Sequence, residues 1–448
     1  MKPVKTLFAI SATFSRYVRG LADHLLFAAP PVLLVFANVT TSAIGIAVAV
    51  SLSFPRMEVD SIQEDIIIPF VTFVILVSTL NTIILVVYRF RFMLNIDDSD
   101  VETYNNKFID AYRGKDFIKV SKFGRQALVY DIRTCHHLNA LSNKCVVERN
   151  RYSLPEPLND IRISLLLKVP RRTLDTFNQR KIRLRTDVDH ESFQGNREIC
   201  LQETAYYYDR ITNNIAGCHV KYGFLKYISI GEWNVDTNGR LERLSASVYS
   251  NQLGGGCILI TADRRIVYVR QGLSTTENKG RLAPAGSGSF DWSDVHKLRQ
   301  NGKDVIFQDL GRRATFRELR EEVGIKAKFE DCESIIVGIG RSLYRGGKPE
   351  VFSIVLTGEK SDCLDVRPQE WDYIDREILF FTPPIFSDGP GLVVALKMFL
   401  NFLGDSCADV SGPLGFNIEL AIEAIAYSEY NSKRVSSFFQ GIDNKRKL

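Results

Sequence analysis

The stretch DLGRRATFRELREEVGI, residues 309–325, constrains the chain more than any other. From Arg317 to Ile325 it reads as a helix that stops on Gly324, because glycine takes the left-handed turn on which many helices end. Glu318 lies three residues before Glu321 and four before Glu322, so three carboxylates crowd one helical face. Such crowding is unfavourable unless positive charge meets it. Arg317 and Arg320 supply that charge if the helix is simply solvated. The alternative is Mg²⁺, which prefers oxygen ligands and takes one or two carboxylates together with substrate phosphates. Spacing alone leaves both open.

The pattern REL-x-EE-x-G followed by an aliphatic residue resembles the end of the Nudix box, the signature of hydrolases and binding modules for nucleoside diphosphate derivatives. Upstream, LAPAGSGSFD (282–291) resembles the glycine-bearing loop that precedes the box helix in that family. The resemblance implies an α/β/α sandwich, Glu318, Glu321 and Glu322 as ligands of Mg²⁺, and Glu321 and Glu322 as catalytic groups if the domain is active. Within the box-like segment 303–325 there are departures. Asp309 stands where the family has glutamate, and Lys303, beside Gly302, stands where it has glycine. An extra segment, WSDVHKLRQNGKDVIFQ, separates the loop from the helix. These changes bear on catalysis more than on fold.

At 448 residues and 45% hydrophobic content the chain has room for two or three domains. Its apolar residues are unevenly spread. No charge falls between His24 and Arg56, and residues 31–54 are long enough to cross a bilayer as a helix. A second such window, residues 66–88, follows after a short connection and is bounded by Asp65 and Arg89. A cleaved signal peptide is a poor account of the first window, given its late start, its length and the second window behind it. Basic residues Lys2, Lys5, Arg16, Arg19, Arg89 and Arg91 flank the pair, while Glu58, Asp60, Glu64 and Asp65 lie between the two windows. Both termini are therefore expected to face the cytoplasm, with everything beyond about residue 92 in the cytosol. Asn38, Thr41, Ser42 and Gly45 line one face of the first span, which suits packing against the second span or self-association of many hairpins.

The domain organisation expected is an N-terminal hairpin (1–91), a juxtamembrane and α/β extension (92–244), a Nudix-like domain (245–404), and a C-terminal helix with a loose basic tail (405–448). In the extension, DDSDVETYNNKF suggests a helix capped at Asp98 or Ser99, and IRISLLLKVP (161–170) reads as a buried strand. RKIRLR (180–185) alternates as a strand that puts Lys181, Arg183 and Arg185 on one face, to meet phosphates or to form a solvated or lipid-facing edge. Tyr206, Tyr207 and Tyr208 suit either a stacking surface or a half-buried strand. The eight cysteines contain no C-x-x-C pair, which points to neither a disulfide scaffold nor a zinc ribbon.

In the Nudix-like part, residues 254–272 read as two strands about a turn at Asp263 and Arg264, and residues 389–404 as a helix that packs on the sheet. Arg270, Arg281, Arg341, Tyr344 and Arg345 come from segments that would border the pocket of such a fold. Arginine meets phosphate oxygens with two prongs and tyrosine stacks on a base, so these five are candidate ligand-binding residues.

Taken together, two spans followed by a divergent Nudix domain resemble the two-transmembrane NUDIX effectors of bacterial cyclic-oligonucleotide-based anti-phage signalling (CBASS), which carry a SMODS-associated NUDIX domain. That resemblance implies a location in the bacterial inner membrane, a cyclic di- or trinucleotide messenger, a cyclic-oligonucleotide synthase as functional partner, homo-oligomerisation, the lipid bilayer as target, and no DNA. The competing reading is a membrane-tethered, Mg²⁺-dependent Nudix hydrolase of a nucleoside diphosphate derivative.

Overall fold

The computed structural model describes residues 94–99, 101–168, 178–195, 197–222, 226–272, 278–299, 304–366, 374–404 and 409–447. The region ahead of the box contributes β1 (Leu94–Asp97), α1 (Val101–Tyr112), the hairpin β2 (Ile118–Phe123) and β3 (Gln126–Asp131), α2 (Ile132–His137), β4 (Cys145–Val147), α3 (Glu156–Lys168), β5 (Arg180–Leu184), β6 (Ile199–Ala205), β7 (His219–Tyr222) and β8 (Lys226–Ser229). The box region follows with β9 (Gly254–Ile260), β10 (Ile266–Gln271), β11 (Leu282–Pro284), β12 (Gly286–Ser289), α4 (Trp292–Arg299), the box helix α5 (Phe307–Glu322), β13 (Glu333–Ser342), β14 (Lys348–Leu356) and β15 (Ile374–Phe381). Three helices close the chain: α6 (Gly389–Gly404), α7 (Gly412–Ala426) and α8 (Glu429–Lys447).

The main sheet runs in the order β11-β10-β9-β14-β13-β3-β2, with β12 beside β9 and β15 beside β10. At its centre β9 and β14 pair in parallel, from Glu350 opposite Gly254 to Leu356 opposite Ile260. Both strands are apolar on both faces, as strands covered on two sides must be. Ile258, Ile260, Phe352 and Ile354 face Leu396, Phe399, Phe416 and Leu420 of α6 and α7. Cys257, Leu259 and Val355 face Phe316, Leu319 and Val323 at the box helix. Helices thus cover both sides of the sheet, with α5 on one and α6–α8 on the other.

The extension is built into this sheet. β3 pairs with β13, Val129 opposite Arg341 and Leu128 opposite Ser342, and β2 follows as the edge strand. Residues 94–221 and 226–448 accordingly form one compact unit. A smaller sheet, β4-β6-β5, lies against the box region.

The structure corrects several expectations. The membrane-anchored fold and the bacterial inner-membrane location do not stand: among the described residues no helix is long and apolar enough to cross a membrane. The windows 31–54 and 66–88 lie outside the described residues. The apolar helix α6 has 16 residues, short of the ~20 that a span needs, and it buries Leu392, Leu396, Phe399 and Leu403 against the sheet and its neighbouring helices. Residues 156–168 form helix α3 instead of a strand. The carbonyl of Pro155 accepts from Leu158 and Asn159, and Leu158, Ile161 and Leu165 are buried at helical spacing. A short apolar run does not by itself separate a buried strand from a buried helix. The tail is likewise not loose: α8 docks through buried Val435 and Phe439, and its Arg434 donates to the carbonyl of Ser334.

Other expectations match what is described. The helix after Ser99 is α1, and the hairpin 254–272 turns at Arg264, whose φ is +65°. The box helix ends as expected. Val323 donates to the carbonyl of Leu319, and Gly324 then takes a φ of +67°, where a Cβ would sit 2.2 Å from the carbonyl oxygen of Asp365.

Candidate functional site

The apolar face of α5, with Phe307, Leu310, Ala314 and Leu319 fully buried, fixes which side its charges take. Arg317 is drawn onto the loop side, where its side chain is 16% exposed. It lies 2.9 Å from Glu318 Oε1 and 2.9 Å from Glu321 Oε2. Asp294 meets its Nε at 3.2 Å, and Asp291 is 3.6 Å from Nη2. Burial alone would pull the guanidinium pKa down, but Glu318, Asp294, Asp291 and Glu321 together hold it above its usual value. The positive charge that the crowded face requires is therefore Arg317, one of the two local arginines.

The two aspartates are positioned by the start of α4. Asp294 Oδ2 accepts from the backbone N–H of Asp291 at 3.1 Å, while the N–H of Asp294 donates to the Asp291 carbonyl at 2.9 Å. These residues lie at the end of the 282–291 loop and in the segment that follows it. A second cation arrives from the extension. Lys181 on β5 reaches Asp291 with its ammonium and lies 3.5 Å from the carbonyl of Ser289.

Glycines let the loop close on the helix. An added Cβ at Gly288 would lie 2.3 Å from Cδ of Glu318, so that carboxylate fills the space a side chain would need. Burial is the main reason the Glu318 pKa rises to about 7, with Arg317 opposing the rise and Glu321 adding to it. Glu322 turns elsewhere: its Oε2 accepts from the N–H of Ser287 at 3.0 Å.

This donor set does not fit the divalent ion that the box resemblance implies. Glu318 and Glu321 are both engaged by Arg317, and Glu322 is tied to the backbone of β12. Among the described residues no three Asp, Glu, His or Cys groups stand together as a metal site. Asp309, at the position of the family's glutamate, is half exposed and pairs with Arg312 at 2.7 Å. Lys303 lies outside the described residues.

Along the outer side of α5 runs a groove of about 460 Å³. Its cations are Lys297, Arg313, Arg317, Arg320 and Lys328, against the acids Asp294, Glu321 and Glu330. Phe316, Phe329 and Leu298 supply apolar wall, and the Arg313 guanidinium stacks over Phe329 at 4.5 Å. Among the described residues no ion pair forms to Lys297, Arg320 or Lys328.

The ligand-binding residues expected from sequence lie elsewhere. β10 and β13 end at the same end of the sheet, which brings Arg270 and Arg341 to that end. Their side chains are not gathered into one pocket. Arg270 donates to the carbonyl of Gly280 at 2.6 Å, and Arg281 follows in the same loop. Arg341 is buried and donates to the carbonyls of Gly347 and Glu242. Arg345 bridges Asp209, Glu350 and Asn214, and Tyr344 lies in the turn between β13 and β14. The basic face of β5 is neither solvated nor lipid-facing. Arg183 is buried among Gln202 and the carbonyls of Tyr249 and Ser247, and burial lowers its pKa to about 10. Tyr206–Arg210 form a short helical turn.

Nudix and MutT proteins are among the solved structures this chain resembles. A Deinococcus radiodurans protein matches at 10% identity over 38% of this chain and 81% of its own, with a TM-score of 0.25. The MutT protein of Methanosarcina mazei matches at 12% identity over 44% and 96%, TM-score 0.23. A MutT/nudix family protein of Enterococcus faecalis matches at 12% over 43% and 80%, TM-score 0.21. No family model matches the sequence, and no curated protein does. At these TM-scores the likeness is too slight to assign a site or an activity, and any functional reading rests on the residues themselves.

Proposed function

We propose that the chain is a nucleotide sensor, in which a Nudix-like domain holds a phosphate-bearing ligand along its box helix without needing to cleave it. The observation that carries this reading is the excess of positive charge in the groove along α5. Its acids Asp294 and Glu321 are engaged by Arg317, while Lys297, Arg320 and Lys328 stand around Phe329. Cations at the rim of such a groove suit phosphodiester oxygens, and a half-buried phenyl ring suits a base, with stacking worth about 1–3 kcal/mol per base. The resemblance of the box and its loop to the Nudix signature supports a nucleotide as that ligand, and the proposed ligand is a cyclic di- or trinucleotide made by a partner synthase. Ligand binding would drive homo-oligomer formation only if the assembled form binds it better than the monomer does.

The alternative is hydrolysis of a nucleoside diphosphate derivative, for which Glu318, Glu321 and Glu322 are all present on one helix. One experiment separates them. The full chain is mixed with cyclic dinucleotides, cyclic trinucleotides and nucleotide sugars, with and without Mg²⁺, and retained ligand is scored against product. A cyclic nucleotide retained intact, with a shift in oligomeric mass by light scattering, supports the sensor. Steady consumption of a linear nucleotide with no cyclic ligand retained overturns it.

A further inference from the structure

We infer that Lys181 is a built-in counterion of the box acids, carried in by the extension, and that it closes this acid cluster to divalent metal. The extension strand β5 is stitched to the mouth of the box loop. Ile182 donates to the carbonyl of Phe290 at 3.1 Å, Leu184 to that of Asn251 at 3.2 Å, and Leu253 returns a bond to Ile182 at 2.8 Å. That register places Lys181 opposite Asp291. The lysine is 8% exposed, and its charge acts on Glu318 as well as on Asp291. A buried ammonium is costly unless carboxylates surround it.

Arg317 alone faces four carboxylates, those of Asp291, Asp294, Glu318 and Glu321. A cluster with that excess of negative charge would attract a divalent cation. Lys181 takes up one of the excess charges from a strand 110 residues away in sequence from Asp291. The resemblance led to an expectation of Mg²⁺ at Glu318, Glu321 and Glu322; Arg317 engages the first two, and Lys181 of the extension adds the second cation that closes the cluster around Glu318. Because this concerns metal exclusion and not nucleotide recognition, it stands or falls separately from the sensor reading.

The test is Mn²⁺ binding to the full chain without nucleotide, read from the electron paramagnetic resonance signal of free Mn²⁺. The wild-type protein is expected to leave Mn²⁺ free, and Lys181→Met to tighten binding by about tenfold or more, while Lys181→Arg stays closed. A wild-type Mn²⁺ site that Glu318→Gln removes would overturn the inference, as would a folded Lys181→Met protein that gains no metal affinity. If Lys181→Met does not fold, Lys181→Met combined with Asp291→Asn decides. Recovery of folding supports the counterion role, and continued failure to fold overturns it.

Discussion

Gly288 and Glu318 compete for one volume: the carboxylate of Glu318 occupies the place where a side chain on residue 288 would stand. Gly288→Ala must therefore push Glu318 off Arg317, at a cost of about 1–3 kcal/mol. Combining it with Glu318→Ala removes the clash, so the double variant should lose less than the sum of the two single losses. Urea denaturation of the four proteins measures this. Strict additivity would mean that the two residues do not meet.

The raised pKa of Glu318 sets a pH dependence of stability. Its ordinary value is 4.5 and its folded value about 7, so the folded state holds the proton more tightly than the unfolded chain does. The resulting stabilisation is full below about 4.5 and is lost as pH rises through about 7. Its size is on the order of 3 kcal/mol. Glu318→Gln should flatten that slope in a melting-temperature series from acid to neutral pH. An unchanged slope would place the pH sensitivity on another group.

Removing Arg317 tests whether it is the organising charge. Arg317→Met leaves Asp294, only 6% exposed, and Glu318, 12% exposed, without their main counterion. A loss of about 3–5 kcal/mol is expected. The loss should shrink in acid, where Glu318 is protonated, and chemical denaturation at two pH values reads the difference.

Charge reversal in the groove should affect ligand and spare the fold. Arg320 and Lys328 are exposed, so Arg320→Glu and Lys328→Glu are expected to change stability by no more than about 0.5 kcal/mol. Each should weaken cyclic-nucleotide retention by roughly tenfold at low salt, with the gap narrowing as salt rises. Equal retention by wild type and both variants would mean that the ligand does not lie in the groove.

Arg341 is expected to behave in the opposite way. Its guanidinium is buried against two backbone carbonyls, so Arg341→Met should cost about 2–4 kcal/mol by leaving them unpaired. The protein that remains folded should retain nucleotide as wild type does. A selective loss of retention would instead restore Arg341 to the ligand site.

What the sequence revealed and what it hid reflect the range of the interactions. The box helix, its glycine stop and the β9–β10 hairpin are set by neighbours within a few residues, and they were legible. The partners of Arg317 were half legible, since Glu318 and Glu321 share its helix while Asp291 and Asp294 approach it through the fold. Lys181 gave only an alternating basic pattern, which solvated edges share, and nothing local showed that β5 would be buried. For Arg341 and Arg345 the sequence offered only their residue type and strand context, and their acceptors come from distant backbone and from Asp209. In α3 the alternation of Ile161, Arg162, Ile163, Ser164 and Leu165 concealed the helical spacing.

The pairing of β3 with β13 also governs how the chain can be divided. β13 is hydrogen-bonded on both sides, by β14 and by β3. A fragment starting near residue 245 would strip one partner away and leave an apolar ladder with open rungs, the kind of edge along which copies stack into aggregates. Whatever the box helix recognises, it is expected to do so only in protein that keeps the residue 118–131 hairpin in place.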